Sequence, residues 1–225
     1  MVMPPARTLQ MMAGLAPAGV AAQLSGALEV IERHLASTLL AVHVHGSTVD
    51  GGLKPRSDLD LMVTVSAGIG DAVRRVLMLD LLGVSAPPGT RKDLRALEVT
   101  VVVRGDVVPW RYPATRELQF GEWLRDDGLA GTFEPAVVDP DLALLLTQVR
   151  RRGIALVGPA AAELFDAIPE RDVFRAMADT LAQWRSPQDW AGDEQTVVLA
   201  LARIRYSAET GGIAPKDIAA EWVVP

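Results

Sequence analysis

The sequence predicts a mixed α/β domain that is followed by an all-helical domain. Up to about residue 167, short β-branched segments alternate with amphipathic ones, which predicts a mixed sheet with helices packed against it. Beyond Pro169 the spacing of apolar residues predicts helices and no strands. The chain has 225 residues and 49% hydrophobic content, enough for two modest domains with cores of their own. We therefore expect one domain over residues 1–167 and a second over residues 168–225.

The elements of the first domain follow from these periodicities in order. Runs rich in valine, leucine and threonine predict strands at residues 39–45, 59–65, 97–104 and 155–157. Apolar residues at helical spacing predict helices at residues 16–34, 71–83, 115–126 and 140–152. Residues 85–89, which include two prolines and a glycine, are predicted to form a loop.

The second domain is predicted to consist of three helices. Their expected ranges are residues 170–184, 194–210 and 215–222. Gly211 and Gly212 end the middle helix, and Pro215 begins the last one.

A glycine-serine turn follows the first predicted strand. Gly46 permits a sharp turn with close approach of the backbone, and Ser47 is placed to begin a short helix. Exposed backbone N–H groups at such a turn suit a phosphate group. The turn is therefore a candidate phosphate site.

Two aspartates lie at the start of the second predicted strand, Asp58 just before it and Asp60 within it. Strand side chains alternate between faces, so Asp58 and Asp60 are expected on the same face. Two carboxylates at such a short distance repel each other unless a cation neutralises them. Mg²⁺ prefers carboxylate, water and phosphate oxygens, so a magnesium site is expected here. The alternative is a hairpin whose aspartates are merely solvated, but that leaves two acidic same-face positions in an apolar strand unexplained.

Glu98 is a third acidic residue, placed inside the third predicted strand. Beside Asp58 and Asp60 it could be a further metal ligand or the general base for an attacking hydroxyl, because neighbouring carboxylates raise its proton affinity. The alternative is a glutamate of an edge strand that faces water.

The charge and the cysteine and histidine content limit the kinds of partner and metal site that the chain can have. The net charge of −6 argues against a nucleic-acid backbone as partner and suits a cationic small substrate. Cysteine is absent, which excludes disulfides and thiolate metal sites. His34, His43 and His45 lack the spacing of a zinc motif, so structural imidazoles are expected.

No segment has the run of apolar residues that a membrane span needs. Residues 7–22 have a faint signal-peptide outline, but Gln10 and Pro17 interrupt it. We therefore expect no membrane partner and a cytoplasmic protein.

The chain resembles a known family. The Gly-Ser turn, the ten-residue spacer and Asp58-Leu59-Asp60 resemble the nucleotidyltransferase superfamily that includes DNA polymerase beta. From about Val30 to Trp222 the sequence is similar, more narrowly, to the aminoglycoside (3'')(9) adenylyltransferases. The segments that carry this likeness are residues 108–113, 116–123, 156–161 and 189–194.

The resemblance implies an Mg²⁺-dependent enzyme that transfers AMP from ATP to a hydroxyl of streptomycin (3'') or spectinomycin (9). It implies that Asp58 and Asp60 bind magnesium and that Glu98 is the catalytic base. It also implies that Gly46 and Ser47, with Ser57 beside them, form the phosphate-binding turn.

In the helical domain, the resemblance implies that Arg203 and Lys216 reach the nucleotide phosphates. It also implies that Trp123, Asp189 and Asp193 contact the antibiotic, and the presence of Trp123 and Asp189 favours use of both drugs. From the residues alone, Trp123 is equally compatible with an amphipathic helix core. Asp189 and Asp193 are likewise compatible with helix starts, with Asp193 as an N-cap.

Members of the family usually continue for several helical turns beyond the position of Trp222, so we expect the helical domain to be truncated. A monomer is expected. Two alternatives stay open at this point: a nucleotidyltransferase that modifies a protein, and a truncated homologue that binds its ligands without turnover.

Overall fold

The computed structural model describes residues 18–50, 52–54 and 57–224. Most of the segment with the signal-peptide outline therefore lies outside the described residues. The strands in the described part are β1 (Leu39–His45), β2 (Leu59–Val65), β3 (Leu97–Val103), β4 (Ala114–Arg116), β5 (Leu118–Phe120), β6 (Val137–Asp139) and β7 (Ile154–Val157). The helices are α1 (Ala18–Leu35), α2 (Asp71–Gly83), α3 (Arg104–Val107), α4 (Arg125–Leu129), α5 (Leu142–Arg152), α6 (Ala161–Leu164), α7 (Glu170–Leu181), α8 (Glu194–Thr210) and α9 (Lys216–Val223). Three 3₁₀ turns lie at Gly46–Thr48, Glu122–Leu124 and Pro187–Asp189.

Five of these strands form one mixed sheet in the order β5-β3-β2-β1-β7. Strands β2 and β3 are parallel, whereas the other neighbours are antiparallel. The predicted mixed sheet is confirmed. Most side chains of β1, β2 and β3 are buried, as expected for a sheet that helices cover on both faces.

Helices cover the two faces of the sheet unequally. Helices α1 and α2 pack on one face, where the buried side chains include Leu24, Ile31, Val63, Leu77 and Val101. Helices α5 and α6 pack on the opposite face, against Ala41, Met62 and Val102. Because strand side chains alternate, Asp60 and Glu98 lie on this second face, two residues before Met62 and Thr100.

The helix predicted at residues 115–126 is wrong. This segment instead forms β4, β5, a 3₁₀ turn and the start of α4. The backbone N–H of Glu117 donates to Val101 (2.9 Å), and the Glu117 carboxylate forms a buried ion pair with Arg74 (2.7 Å). These partners are distant in sequence, so tertiary contacts override the local helical spacing.

The helical domain agrees more closely with prediction. Helix α8 has the predicted range and ends at Gly211, which has the left-handed backbone conformation (φ 70°) typical of a helix C-terminus. Helix α7 ends at Leu181, three residues before the predicted end. The core between α8 and α9 is small, and it includes an edge-to-face contact of Tyr206 with Trp222 at 5.4 Å.

Polar contacts attach α7 to the segment between α3 and β4. The indole N–H of Trp110 donates to Asp172 (3.0 Å), and the Tyr112 hydroxyl donates to Asp179 (2.7 Å). Along the described residues, no helix combines the length and apolar character that crossing a bilayer requires.

Candidate active site

A row of ionisable side chains crosses the sheet where β1 ends and β2 and β3 begin. In the strand register, Asp60 of β2 lies between His45 of β1 and Glu98 of β3. Asp58 immediately precedes β2. Three predicted carboxylates are therefore brought to one end of one sheet face by strand pairing.

The carboxylates perturb one another. Burial, followed by repulsion from Glu98 and Asp58, raises the pKa of Asp60 to about 7. Burial and then Asp58 raise the pKa of Glu98, and burial raises the pKa of Asp58. Lys216 opposes all three shifts. The site therefore holds excess negative charge that favours a cation.

The donor set fits Mg²⁺ in its chemistry. Carboxylate oxygens are hard ligands, and Mg²⁺ is usually held by one or two of them together with water and phosphate oxygens. Among the described residues no group of three or more His, Cys, Asp and Glu side chains is arranged so that it could hold a metal ion. The carboxylates of Asp58, Asp60 and Glu98 therefore suit Mg²⁺ by their chemistry, but they do not form a metal site by themselves.

The Gly46 turn packs directly against Asp60. Gly46 has a φ of 64°, and a Cβ added there would lie 1.9 Å from Oδ2 of Asp60. Only glycine fits both the conformation and the space. Ser47 follows in the 3₁₀ turn, as predicted, with Asp50 N–H bonded to the Gly46 carbonyl at 3.0 Å. The candidate phosphate turn and the carboxylates form one unit.

Arg95 holds Lys54 and Ser57 in place. The backbone N–H of Lys54 donates to Ser57 Oγ (2.9 Å). The Arg95 guanidinium donates to the carbonyls of Lys54 (2.7 Å) and Ser57 (2.9 Å), and its charge lowers the pKa of Asp58 against the larger effect of burial. Sequence reasoning missed Arg95, because no pattern in the neighbouring sequence shows that its side chain binds the carbonyl of Ser57, 38 residues away.

Gln119 is a second residue that sequence reasoning missed. Its Nε2 donates to Glu98 Oε1 (3.2 Å), and its Oε1 accepts from the Thr100 hydroxyl (2.9 Å). The predicted helix at residues 115–126 concealed this contact. The apolar-polar-apolar order of Leu118, Gln119 and Phe120 was the available signal for a strand.

The helical domain supplies positive charge to the carboxylates. Arg203 of α8 acts on Asp60, and burial is the main cause that lowers the pKa of Arg203. Lys216, the first residue of α9, is exposed and acts on the same carboxylates. Next to it, Asp217 pairs with Lys54 of the loop before β2. The charges of both predicted basic residues thus act on the acidic row.

The three predicted drug contacts are all exposed to solvent. The Trp123 side chain is 61% exposed and lies over Gly121, where an added Cβ would be 2.2 Å from the indole ring. Its neighbour Glu122 raises the pKa of Asp58, although burial is the larger cause, so this turn lies at the acidic end of the sheet.

Asp189 and Asp193 lie at two helix starts. Asp189 Oδ2 accepts backbone N–H bonds from Arg185 (2.8 Å) and Ser186 (2.7 Å), which lower its pKa and keep it ionised. Asp193 occupies the N-cap position of α8, but its side chain makes no capping bond. Among the described residues no hydrogen bond, ion pair or ring contact joins Trp123 to either aspartate.

Two of the three histidines, His43 and His45, are buried imidazoles, whereas His34 is half-buried and bonds to Asp80 (2.8 Å). His43 Nε2 bonds to the carbonyl of Pro159 (3.0 Å), and burial lowers its pKa. Burial and then His43 lower the pKa of His45 to about 4. His45, beside Asp60, is therefore neutral at pH 7.

The chain is similar in sequence to proteins of known activity. The family model described as "Aminoglycoside adenylyltransferase, C-terminal domain" matches residues 163–225. A protein of Escherichia coli named aminoglycoside (3'') (9) adenylyltransferase is 62% identical over 207 residues, which are 92% of this chain and 79% of the relative. The chain belongs to the aminoglycoside adenylyltransferase family.

Other members of the adenylyltransferase family are more distant. The spectinomycin 9-adenylyltransferase of Staphylococcus aureus is 38% identical over 198 residues, covering 88% of this chain and 75% of the relative. The crystal structure of spectinomycin adenyltransferase AAD(9) from Enterococcus faecialis with ATP and spectinomycin has a TM-score of 0.85 and 32% identity. That match covers 90% of this chain and 81% of the other. The adenylyltransferase fold of this chain is therefore shared with a protein solved with both ligands bound.

Proposed function

We propose that the protein transfers AMP from ATP to a hydroxyl of streptomycin (3'') or spectinomycin (9) and so inactivates the drug. The observation that carries the proposal is the row of Asp60 and Glu98 beside Asp58, facing Arg203 and Lys216. Acidic groups on one side and basic groups on the other suit a nucleotide phosphate between them. The identity to relatives with this activity in their names supports it.

The proposed reaction is an in-line attack of a drug hydroxyl on the α-phosphorus of ATP. Glu98 takes the hydroxyl proton, the new bond joins the drug oxygen to AMP, and pyrophosphate leaves. The raised pKa of Glu98 suits a proton acceptor near neutral pH. Arg203 and Lys216 would neutralise charge on the phosphate oxygens, and catalysis comes mainly from positioning and charge.

Asp58, Asp60 and Glu98 are the residues proposed to hold Mg²⁺. When bound, Mg²⁺ would neutralise phosphate charge and polarise the phosphoryl group under attack. The Gly46-Ser47 turn, with Ser57 beside it, would donate to the phosphate oxygens. Its fit against Asp60 keeps these groups at a fixed separation.

Trp123, Asp189 and Asp193 are proposed as the drug contacts. Asp189 is held ionised by its backbone hydrogen bonds and can accept charge-assisted bonds from a guanidinium or ammonium group. The exposed Trp123 ring offers a face to a cation. The aspartates and the indole do not touch, so the drug is proposed to bridge them.

We also propose the boundary near residues 167 and 168, and a monomer that acts in the cytoplasm, where ATP is available. Among the described residues the last strand is β7 (Ile154–Val157), and only helices and a 3₁₀ turn follow residue 167, which supports this boundary. The net charge of −6 supports a cationic small molecule as partner in preference to nucleic acid.

The experiment is a pyrophosphate assay on the purified protein with ATP, Mg²⁺ and each drug in turn. Pyrophosphate is expected with streptomycin and with spectinomycin, together with a drug product that has gained one AMP. Omitting the drug or chelating the metal supplies the controls. Folded protein that releases no pyrophosphate with either drug would overturn the proposal, and retained ATP binding in that case would indicate a binding-only homologue.

A further inference from the structure

Gln119 links Glu98 to a buried hydroxyl on the same sheet face. Thr100 and Gln119 are opposite each other in the antiparallel pairing of β3 and β5. Glu98 is two residues before Thr100 on β3, so both side chains project from one face. The hydrogen bonds of Gln119 to Thr100 (2.9 Å) and Glu98 (3.2 Å) form a three-residue chain.

The chemistry of the groups fixes the direction of this chain. An amide nitrogen only donates hydrogen bonds, and the amide nitrogen of Gln119 faces Oε1 of Glu98 at 3.2 Å. The amide oxygen then faces Thr100, whose hydroxyl donates to it. Thr100 and Gln119 are only 2% and 8% exposed, so water has little access to compete for these bonds.

Glu98 has no other restraint of this kind. Among the described residues Gln119 is the one hydrogen-bond donor to the Glu98 side chain, and it uses Oε1 alone. Gln119 therefore orients the carboxylate through Oε1, while Oε2 accepts no hydrogen bond from a described residue and stays available to a metal ion or to a substrate hydroxyl. A base must lie within hydrogen-bond reach of the proton that it removes, and small misplacements are costly.

We propose that Gln119 is a positioning residue that orients the Glu98 carboxylate, and that Thr100 acts through Gln119 by fixing its amide. This inference rests on the proposed function for its role in turnover. The geometry itself can be tested separately.

The variants are chosen to separate positioning from folding. Gln119→Met keeps the side-chain length without the donor, and we expect kcat to fall about 10- to 30-fold because a hydrogen bond to a charged group is lost. Thr100→Val should lower kcat about 3-fold, since the amide stays but can rotate. Thr100→Ser keeps the hydroxyl and should restore the wild-type rate. The KM for ATP and the melting temperature are expected to stay close to wild type in all three.

A double variant and a matched control sharpen the test. Thr100→Val combined with Gln119→Met should match Gln119→Met alone, because Thr100 acts only through Gln119. Thr64→Val is the control, since Thr64 is buried on the neighbouring strand β2 and its hydroxyl has no hydrogen-bond partner among the described residues. We expect Thr64→Val to leave kcat unchanged.

Nuclear magnetic resonance can test the hydrogen bonds of Gln119 without measuring turnover. The side-chain amide of Gln119, assigned by its loss in Gln119→Met, should show protons protected from solvent exchange in the wild type. Thr100→Val should reduce that protection, whereas Thr64→Val should not.

Different results would overturn the role of Gln119 and the proposed function. A wild-type kcat in Gln119→Met, multiplied losses in the double variant, or an unprotected amide in the wild type would overturn the inference alone. A wild type that releases no pyrophosphate with either drug would instead overturn the proposed function and, with it, the role of Gln119 in turnover.

Discussion

The acidic and basic sides of the candidate site are built in different ways. Asp60 and Glu98 are placed by the register of two parallel strands at the centre of a buried sheet. Arg203 and Lys216 lie on helices whose shared core is small. The exposed Lys54–Asp217 pair joins this helical side to the loop before β2.

The difference indicates a division of roles. If the proposed function holds, the groups that must keep a fixed geometry during bond formation lie on the sheet, whereas Arg203 and Lys216, proposed to bind phosphate, lie on helices with a small shared core. An exposed ion pair contributes little free energy, about 0–1 kcal/mol, so the helical side can shift at little cost. Sheet variants should therefore impair chemistry, and helical variants should change binding.

Two glycines with positive φ provide the strongest test of this difference. Gly46→Ala places a Cβ against Asp60 and should lower kcat about 100-fold, because the carboxylate must move. Gly211→Ala has similar backbone strain (φ 70°) but no neighbouring atom within 4 Å. Both should lose about 1 kcal/mol of stability from strain, and only Gly46→Ala should lose turnover. Steady-state kinetics with thermal melts distinguish them, and equal losses of turnover would contradict the division.

Trp123→Ala should have a smaller effect that depends on the drug. Streptomycin carries guanidinium groups, so loss of the indole face should lower its kcat/KM about 10-fold, through a cation–π contact worth up to about 2 kcal/mol. Spectinomycin use should fall less. Trp222→Ala is the control, because Trp222 packs on Tyr206 and should change stability without changing the ratio between the drugs. Equal losses for both drugs in Trp123→Ala would count against the pocket assignment.

The pH dependence of stability should show the smallest effect. The pKa of Asp60 is raised from its ordinary 3.8 to about 7 in the folded protein, so the folded state binds more protons between these values. Stability should therefore fall as pH rises through this window, by about 3–6 °C in melting temperature from pH 5 to pH 8 without metal or ATP.

Variants on the two sides test the origin of this slope. Asp60→Asn should flatten it and raise the melting temperature at pH 8. The pKa of Asp217 is lowered by its bond to Lys54, so its contribution is lost only as pH falls below the usual carboxyl range. Asp217→Asn should therefore leave the slope between pH 5 and 8 unchanged, and a flattened slope in that variant would contradict the assignment.

Sequence periodicity predicted most of this architecture. The strands that carry Asp60 and Glu98 and the long helix α8 had clear patterns, because each is buried along a regular face or stripe. The segment at 115–126 was assigned wrongly because the Arg74–Glu117 ion pair and the pairing with β3 decide its conformation. Contacts between residues far apart in sequence leave no local signal.

The residues of the candidate site were likewise predictable only where the neighbouring sequence carried a signal. Gly46, Asp58, Asp60 and Glu98 were found because their residue types are unusual beside apolar strands. Arg95 and Gln119 were missed, since their importance lies in which backbone or side-chain atoms they contact. A basic or amide residue on its own is too common to be informative.

The central claim is that Glu98 performs chemistry without being needed to bind ATP. Its most direct test is Glu98→Gln, with ATP affinity measured by calorimetry and pyrophosphate release measured with streptomycin. We predict ATP affinity within about twofold of wild type and a rate lower by about 10³-fold, within the range that general bases contribute. A wild-type rate, or loss of ATP binding equal to the loss of rate, would contradict the account.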